Sequence, residues 1–282
     1  MSHTASSTDP LAWLRDTLQA RMVGHLFSKA THDLVLKGGM AMRVLHQAAR
    51  ATKDIDLDAD SSLPMQSVQA LVRRSIKQAA AGLLDDVVIT EPKQTETTLR
   101  WKIGGIDPIT KQALHLTVEV SRRNHIHQED VEHVQSQNSL FPRTITVYTS
   151  QMLAFTKIKA FVSDTRNAPR DVADLYLLIQ AQVKPPIRLL RNWIAEHGAV
   201  DLAQMWDKIE SMDQKRFDAE VRPSLSPNAQ TTVLFSDWDN VRLTVGQHVQ
   251  AWLELAQQTE TEEETDKETE KEHPTCGVRS CH

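Results

Sequence analysis

The sequence predicts an α+β protein, with a mixed sheet and flanking helices in its first half and a mainly helical domain after it. Three observations carry this prediction. Short runs at 34–36, 55–57, 97–121 and 144–148 have the apolar or alternating pattern of strands. Helical periodicity at 13–29 and 66–84 is interleaved with them. From Ser150 onward helical periodicity dominates, broken at Pro185-Pro186 and between Pro223 and Pro227.

Taken in order, Trp13, Leu14, Leu18, Met22 and Leu26 recur at helical spacing behind Asp9-Pro10, a helix start. A short strand at 34–36 runs into Gly38-Gly39, after which a helix is expected over 40–49. Ile55 and Leu57 belong to a second strand, and 66–84 is an amphipathic helix. The stretch TTLRWKIGGIDPITKQALHLTVEVS at 97–121 reads as two alternating runs around a Gly-Gly and Asp-Pro turn region. One more strand is expected at 144–148, then helices at 151–163, 170–182, 187–197, 199–210 and 236–258. Trp193, Trp206, Trp238 and Trp252 have apolar neighbours in these helices and are expected in the core. The expected domains are 1–149 and 150–258, with an acidic tail at 259–282.

A chain of 282 residues, 40% hydrophobic and 24% charged, has room for one large domain or two modest ones. No apolar run approaches the ~20 residues of a membrane span. The first residues, MSHTASSTDPLAWL, lack the charged-then-apolar pattern of a secretory signal. The two cysteines, Cys276 and Cys281, both fall in the last seven residues, so the body holds no thiols to bridge and a cytoplasmic location is expected.

Net charge is −5, and eight acids against Lys267, Lys271 and Arg279 from Glu260 onward account for all of it. The body is therefore neutral overall, which permits a local nucleic-acid patch without predicting one. The segment TETEEETDKETEKE has almost nothing apolar to bury and is expected to be disordered. His273, Cys276, Cys281 and His282 match no familiar zinc spacing, so two free thiols are the expectation there.

The chemistry concentrates in LVLKGGMAMRVLHQAARATKDIDLD at 34–58. Strand parity places Asp54, Asp56 and Asp58 on one face, opposite Ile55 and Leu57. Carboxylates two apart on a strand can share a hard cation such as Mg²⁺. Gly38-Gly39 lets the backbone approach a ligand, and the helix behind it presents free N–H groups to an anion. Each part alone also fits an ordinary turn or a solvated face; together they fit a nucleoside triphosphate with its metal. In LHLTVEV, the same parity sets His115, Thr117 and Glu119 against Leu116, Val118 and Val120. Glu119 is thus the candidate third acid, with a surface glutamate as the competing reading.

KGGMAMRVLHQAARATKDIDLD resembles the first motif of the AbiEii/AbiGii toxin family, nucleotidyltransferase-fold proteins related to the DNA polymerase β superfamily. That family's Arg-x-Ser/Thr-x-Asp-x-Asp ending stands here as Arg50, Thr52, Asp54 and Asp56. A second block, LAFTKIKAFVSDTRNAPRDVADLYLL at 153–178, resembles the family's later motif through Lys157, Arg170, Asp171, Asp174, Leu175 and Tyr176. Two departures stand out: Glu119 replaces the Asp common in the wider superfamily, and Met40 stands where a small residue is usual.

The resemblance implies a nucleotidyltransferase fold and a metal-dependent enzyme that moves NMP from an NTP to an acceptor hydroxyl. Asp54, Asp56 and Glu119 would hold Mg²⁺ or Mn²⁺. Gly38, Gly39, Arg50, Thr52, Lys157 and Arg170 would bind the nucleotide, and Asp174, or else Asp171, would lie near the reacting centre. An Arg170–Asp174 structural pair on one helix is the competing reading. The implied role is a toxin acting on tRNA 3′ ends and restrained by a cognate antitoxin, with no membrane partner. A protein or small-molecule acceptor, and a nucleotide-binding interaction module, are the alternatives. Arg100, Lys102, Arg122 and Arg123 are candidates for a basic rim. His125, His127 and His133 share no period, so a metal site is not expected there.

Overall fold

The computed structural model describes residues 11–28, 33–46, 50–123, 125–135, 144–225 and 235–258. The expected helix start at Asp9-Pro10, the end of the second helix at 47–49, Pro227, and the acidic tail with its cysteines and histidines lie outside them. The first half runs α1 (Ala12–Leu26), β1 (Leu34–Lys37), α2 (Gly38–His46), β2 (Asp54–Ala59), α3 (Met65–Ala80), β3 (Asp85–Gln94), β4 (Thr98–Ile106), β5 (Ala113–Ser121), β6 (Val131–Gln135) and β7 (Thr144–Tyr148). The second half is helical: α4 (Ser150–Val162), α5 (Pro169–Gln180), α6 (Ile187–His197), α7 (Leu202–Ser211), α8 (Gln214–Glu220) and α9 (Trp238–Gln257).

The strands form one mixed seven-stranded sheet in the order β3-β4-β5-β2-β1-β7-β6. β2 pairs with β5 in parallel, as β1 does with β7, and the other pairings are antiparallel. Alternation sets the faces. Ile55 and Leu57 of β2, Leu99 and Trp101 of β4, and Leu116, Val118 and Val120 of β5 are buried. They share a core with Leu18 and Met22 of α1 and with Val72 and Ile76 of α3. The aspartates of β2 and Thr117 and Glu119 of β5 take the opposite face and stay partly exposed.

A second core fills the helical half, with Phe217 stacked on Trp238 at 4.6 Å between ring centroids. Helix α4 belongs to both cores: Leu153 and Ala154 pack into the first, Phe155 and Ile158 into the second. Trp238 is fully buried, whereas Trp193, Trp206 and Trp252 pack at the rim of that core. Trp13, by contrast, points outward with 68% of its surface exposed.

Strands β3 and β6 and helix α8 were not legible as elements. β3 (DDVVITEPKQ) is an edge strand, mostly exposed, whose pairing slips twice, once across the segment holding Pro92. Proline and irregular pairing are tolerated at an edge because one side of the strand has no ladder to complete. No helix among the described residues is long and apolar enough to cross a membrane.

Candidate active site

The glycine pair has two distinct reasons to be glycine. Gly38 opens α2 at φ +64°, a left-handed conformation that other residues rarely adopt. A Cβ there would also lie 2.6 Å from Asp56 Oδ2. At Gly39 a Cβ would meet the Thr52 side chain at 3.1 Å and the Arg50 guanidinium at 3.3 Å. The start of α2, with its unpaired N–H groups, therefore lies directly against the aspartate strand and the segment leading into it.

Strand register extends this into a charged row across four strands. Lys37 of β1 stands opposite Asp56 of β2, Asp56 opposite Glu119 of β5, and Glu119 opposite Arg100 of β4. Asp54 stands opposite Thr117. Glu119 is taken by Arg100, whose Nε and Nη2 both donate to Oε2 at 2.7 and 2.5 Å. Asp58, the third aspartate of β2, is also taken: Lys37 pairs with one oxygen and the Tyr148 hydroxyl donates to the other at 2.7 Å. Burial, and then the charge of Asp58, push the Tyr148 phenol far above its ordinary range, so it stays a donor.

Asp54 and Asp56 are the exceptions. Among the described residues neither carboxylate is hydrogen-bonded or ion-paired. Burial raises the Asp56 carboxyl above its usual value, and the neighbouring charges of Asp54 and Glu119 add to it. Lys37 and Lys157 offset only part of that. A half-buried pair of carboxylates without a counter-ion is where a divalent cation is stabilised. No three carboxylate, imidazole or thiol groups among the described residues converge on one ion position. Asp54 and Asp56 lie together, while Glu119 is turned to Arg100. Two carboxylates still fit Mg²⁺, which is commonly held by one or two, with phosphate oxygens and water completing its shell.

A second cluster gathers cations behind the glycine turn. Arg50 forks onto Asp174, Nε to Oδ1 at 3.1 Å and Nη2 to Oδ2 at 2.9 Å. Lys157 of α4 reaches Asp174 at 2.6 Å and Asp171 at 3.3 Å, and Arg166 forks onto Asp171 at 2.5 and 2.9 Å. Burial alone would raise the Asp174 carboxyl, but Lys157 and Arg50 together hold it below its usual value. Three cations share two carboxylates, leaving one positive charge in excess. Lys157 and Arg166 both lie near enough to Asp56 to act on it electrostatically.

The backbone around Arg50 is held from both sides. Ala51 N–H donates to the Ser224 carbonyl, and Arg50 makes a strand-like bridge with Leu225. Gln19 of α1 donates to the Thr52 carbonyl at 2.8 Å. The Thr52 hydroxyl accepts from the Asp54 N–H at 3.3 Å and turns the chain into β2.

The structure thus gathers Gly38, Gly39, Arg50, Thr52, Asp54, Asp56, Lys157 and Asp174 around one position, with Glu119 one strand away. Arg170 does not join them. It is exposed on α5, and Asp174 pairs with Arg50 and Lys157 instead, so the competing reading of an Arg170–Asp174 pair does not hold either. Lys37, Tyr148 and Arg166 were missed, and with them the pairing that takes up Asp58. Parity would have put Lys37 on the acid face once β1 was known to pair with β2, but nothing local marks Tyr148. Of the proposed basic rim, Arg122 is buried and donates to the Glu96 and Leu63 carbonyls, a structural role. His125 meets Ser61 and Asp60 while His133 meets Thr146, so these histidines do not converge.

The family model for the nucleotidyl transferase AbiEii toxin of type IV toxin–antitoxin systems matches residues 22–272. Two solved structures from Helicobacter pylori are similar. JHP933 is 16% identical with a TM-score of 0.52, over 93% of this chain and 99% of its own. A protein described as a candidate nucleotidyltransferase is 18% identical with a TM-score of 0.54, over 88% and 96%. At such identities the likeness establishes the fold. No curated protein matches the sequence.

Proposed function

We propose, for a chain that belongs to the AbiEii nucleotidyl transferase toxin family, that it transfers NMP from an NTP to the 3′-terminal hydroxyl of tRNA with the aid of a divalent cation. Membership makes the protein a nucleotidyltransferase of a type IV toxin–antitoxin system, and an antitoxin is its implied partner. The observation that carries the mechanism is the unpaired Asp54–Asp56 couple facing the Arg50–Lys157–Arg166 cluster across the Gly38 turn.

Asp54 and Asp56, joined by Glu119 once it leaves Arg100, would hold Mg²⁺ or Mn²⁺. That ion supplies charge neutralisation and orientation of the α-phosphate. Lys157 and Arg50 attract the outer phosphate oxygens, and the N–H groups at the start of α2 add donors. Asp174 acts as a positioning residue that fixes both cations from beneath. Thr52 holds the entry to β2, and Arg170 contributes at most an outer charge to the nucleotide. The acceptor oxygen forms a bond to the α-phosphorus, the bond to the β-phosphate oxygen breaks, and pyrophosphate leaves. The acceptor proton passes to a nearby carboxylate, the role assigned in this reading to Glu119.

An RNA acceptor is supported by Arg100 and Lys102 on the sheet face beside Glu119. An enzyme that uses NTP and tRNA would act in the cytoplasm. Incubation of the full chain and Mg²⁺ with each α-labelled NTP in turn, beside total tRNA, tests the reading. Label on the tRNA 3′ end supports it and names the nucleotide. Label confined to protein, or to an added aminoglycoside, assigns the acceptor to those classes instead.

A further inference from the structure

Strand pairing assembles a second polar surface next to the acids. On the face opposite the core, Val88 of β3, Gly104 of β4 and His115 of β5 form one row. Thr90, Lys102 and Thr117 form the next, and Lys93, Arg100 and Glu119 the third. The second and third rows continue into Asp54 and Asp56 of β2. From β2 to the β3 edge is three strand spacings, about 15 Å.

Three features mark this face as a site for a polyanion with bases. Lys93 and Lys102 are exposed and have no carboxylate partner among the described residues. Of the nine residues in the three rows only Glu119 is acidic, and it neutralises Arg100. His115 is exposed beside Gly104, where a Cβ would lie 3.6 Å from its Nδ1, so its partner directly opposite on β4 leaves the ring uncovered. A bare ring on an open sheet is a stacking platform for an unpaired base, and flanking cations serve the phosphates.

We propose that the open face of β5, β4 and β3 binds the single-stranded end of the acceptor RNA, and that Arg100 joins it only when Glu119 is drawn from Arg100 into the loaded nucleotide site. The proposal rests on the nucleotidyl-transfer reading above. Glu119 lies between two competing positive partners: the cation expected at Asp54–Asp56 on one side and Arg100 on the other. Loading the nucleotide with its metal moves Glu119 to the first and releases Arg100 to a phosphate. Donor and acceptor binding are coupled through one carboxylate, so RNA is held tightly only when a nucleotide is ready for transfer.

The test is fluorescence anisotropy of the full chain with a short oligoribonucleotide ending in a 3′-deoxy residue, which cannot accept a nucleotide. It is titrated with and without Mg²⁺ and an α,β-methylene NTP, whose own binding is followed separately. The wild type is expected to bind RNA several-fold more tightly with the analogue present. Glu119→Gln binds tightly without it, because Arg100 is no longer held. Lys93→Ala with Lys102→Ala weakens binding in both conditions and lowers the salt slope by about 1.4. Unchanged RNA affinity in that double variant, or equal binding of polyglutamate, overturns the surface. Analogue binding without any gain in RNA affinity overturns the coupling alone, whereas failure of the analogue to bind overturns the nucleotidyl-transfer reading as well.

Discussion

Gly38 and Asp56 meet across the turn between β1 and α2, so closely that a Cβ on Gly38 would lie 2.6 Å from Asp56 Oδ2. The contact joins the anion-binding end of a helix to the cation-binding strand. Gly38→Ala must displace that carboxylate and hold alanine at φ +64°. A loss of about 1–3 kcal/mol in urea unfolding is expected, together with loss of nucleotidyl transfer. Gly39→Ala meets the Thr52 and Arg50 side chains at 3.1–3.3 Å and, unlike Gly38, does not need a left-handed φ, so it is expected to be the milder change.

Asp174 is buried between Arg50 and Lys157. Asp174→Asn leaves two buried cations short of a counter-charge, and a loss of about 3–5 kcal/mol is expected. Arg170→Ala, one turn earlier on the same helix and exposed, is expected to stay within about 0.5 kcal/mol. Equal losses by chemical denaturation would contradict this placement.

The contrast between those two residues shows where the sequence was legible. Parity along β2 and β5 put the acids on one face, and turn chemistry placed the glycines between strand and helix, because both follow from local backbone geometry. Helical spacing left an Arg170–Asp174 pair open as a competing reading. The partner is Arg50, which lies far away in sequence: Asp174 is buried against Arg50 and Lys157, while Arg170, in the first turn of α5, is exposed. Tyr148 and Lys37 were hidden for the same reason: they reach Asp58 through sheet order, which no local pattern encodes. β3 was hidden because an exposed edge strand has no apolar alternation to reveal it.

Burial disfavours the ionised form of Asp56. Its carboxyl is raised by burial and by Asp54, so the folded protein retains a proton there at pH values where the unfolded chain has lost it. Stability from this group therefore falls as pH rises above the ordinary aspartate range. Asp56→Asn is expected to melt higher than the wild type at neutral pH, with the difference shrinking as pH falls into that range. Mg²⁺ should raise the melting temperature of the wild type more than that of the variant. Asp174 has the opposite sign, its contribution being present at neutral pH and lost as pH falls through its depressed value.

Tyr148 donates to Asp58 in a buried setting. Tyr148→Phe removes a hydrogen bond to a charged acceptor, and a loss of about 1.5–3 kcal/mol is expected by denaturant unfolding. An unchanged midpoint would mean that Lys37 alone satisfies Asp58.

The central claim is that the unpaired Asp54–Asp56 couple is where the nucleotide is activated. Its most direct test is the initial rate of α-label transfer to tRNA by Asp56→Asn beside the wild type, at equal Mg²⁺ and with both melting curves recorded. The account predicts a fall of about 10³-fold or more in a variant that melts at or above the wild-type temperature. A folded Asp56→Asn protein that keeps its rate within ten-fold would contradict it.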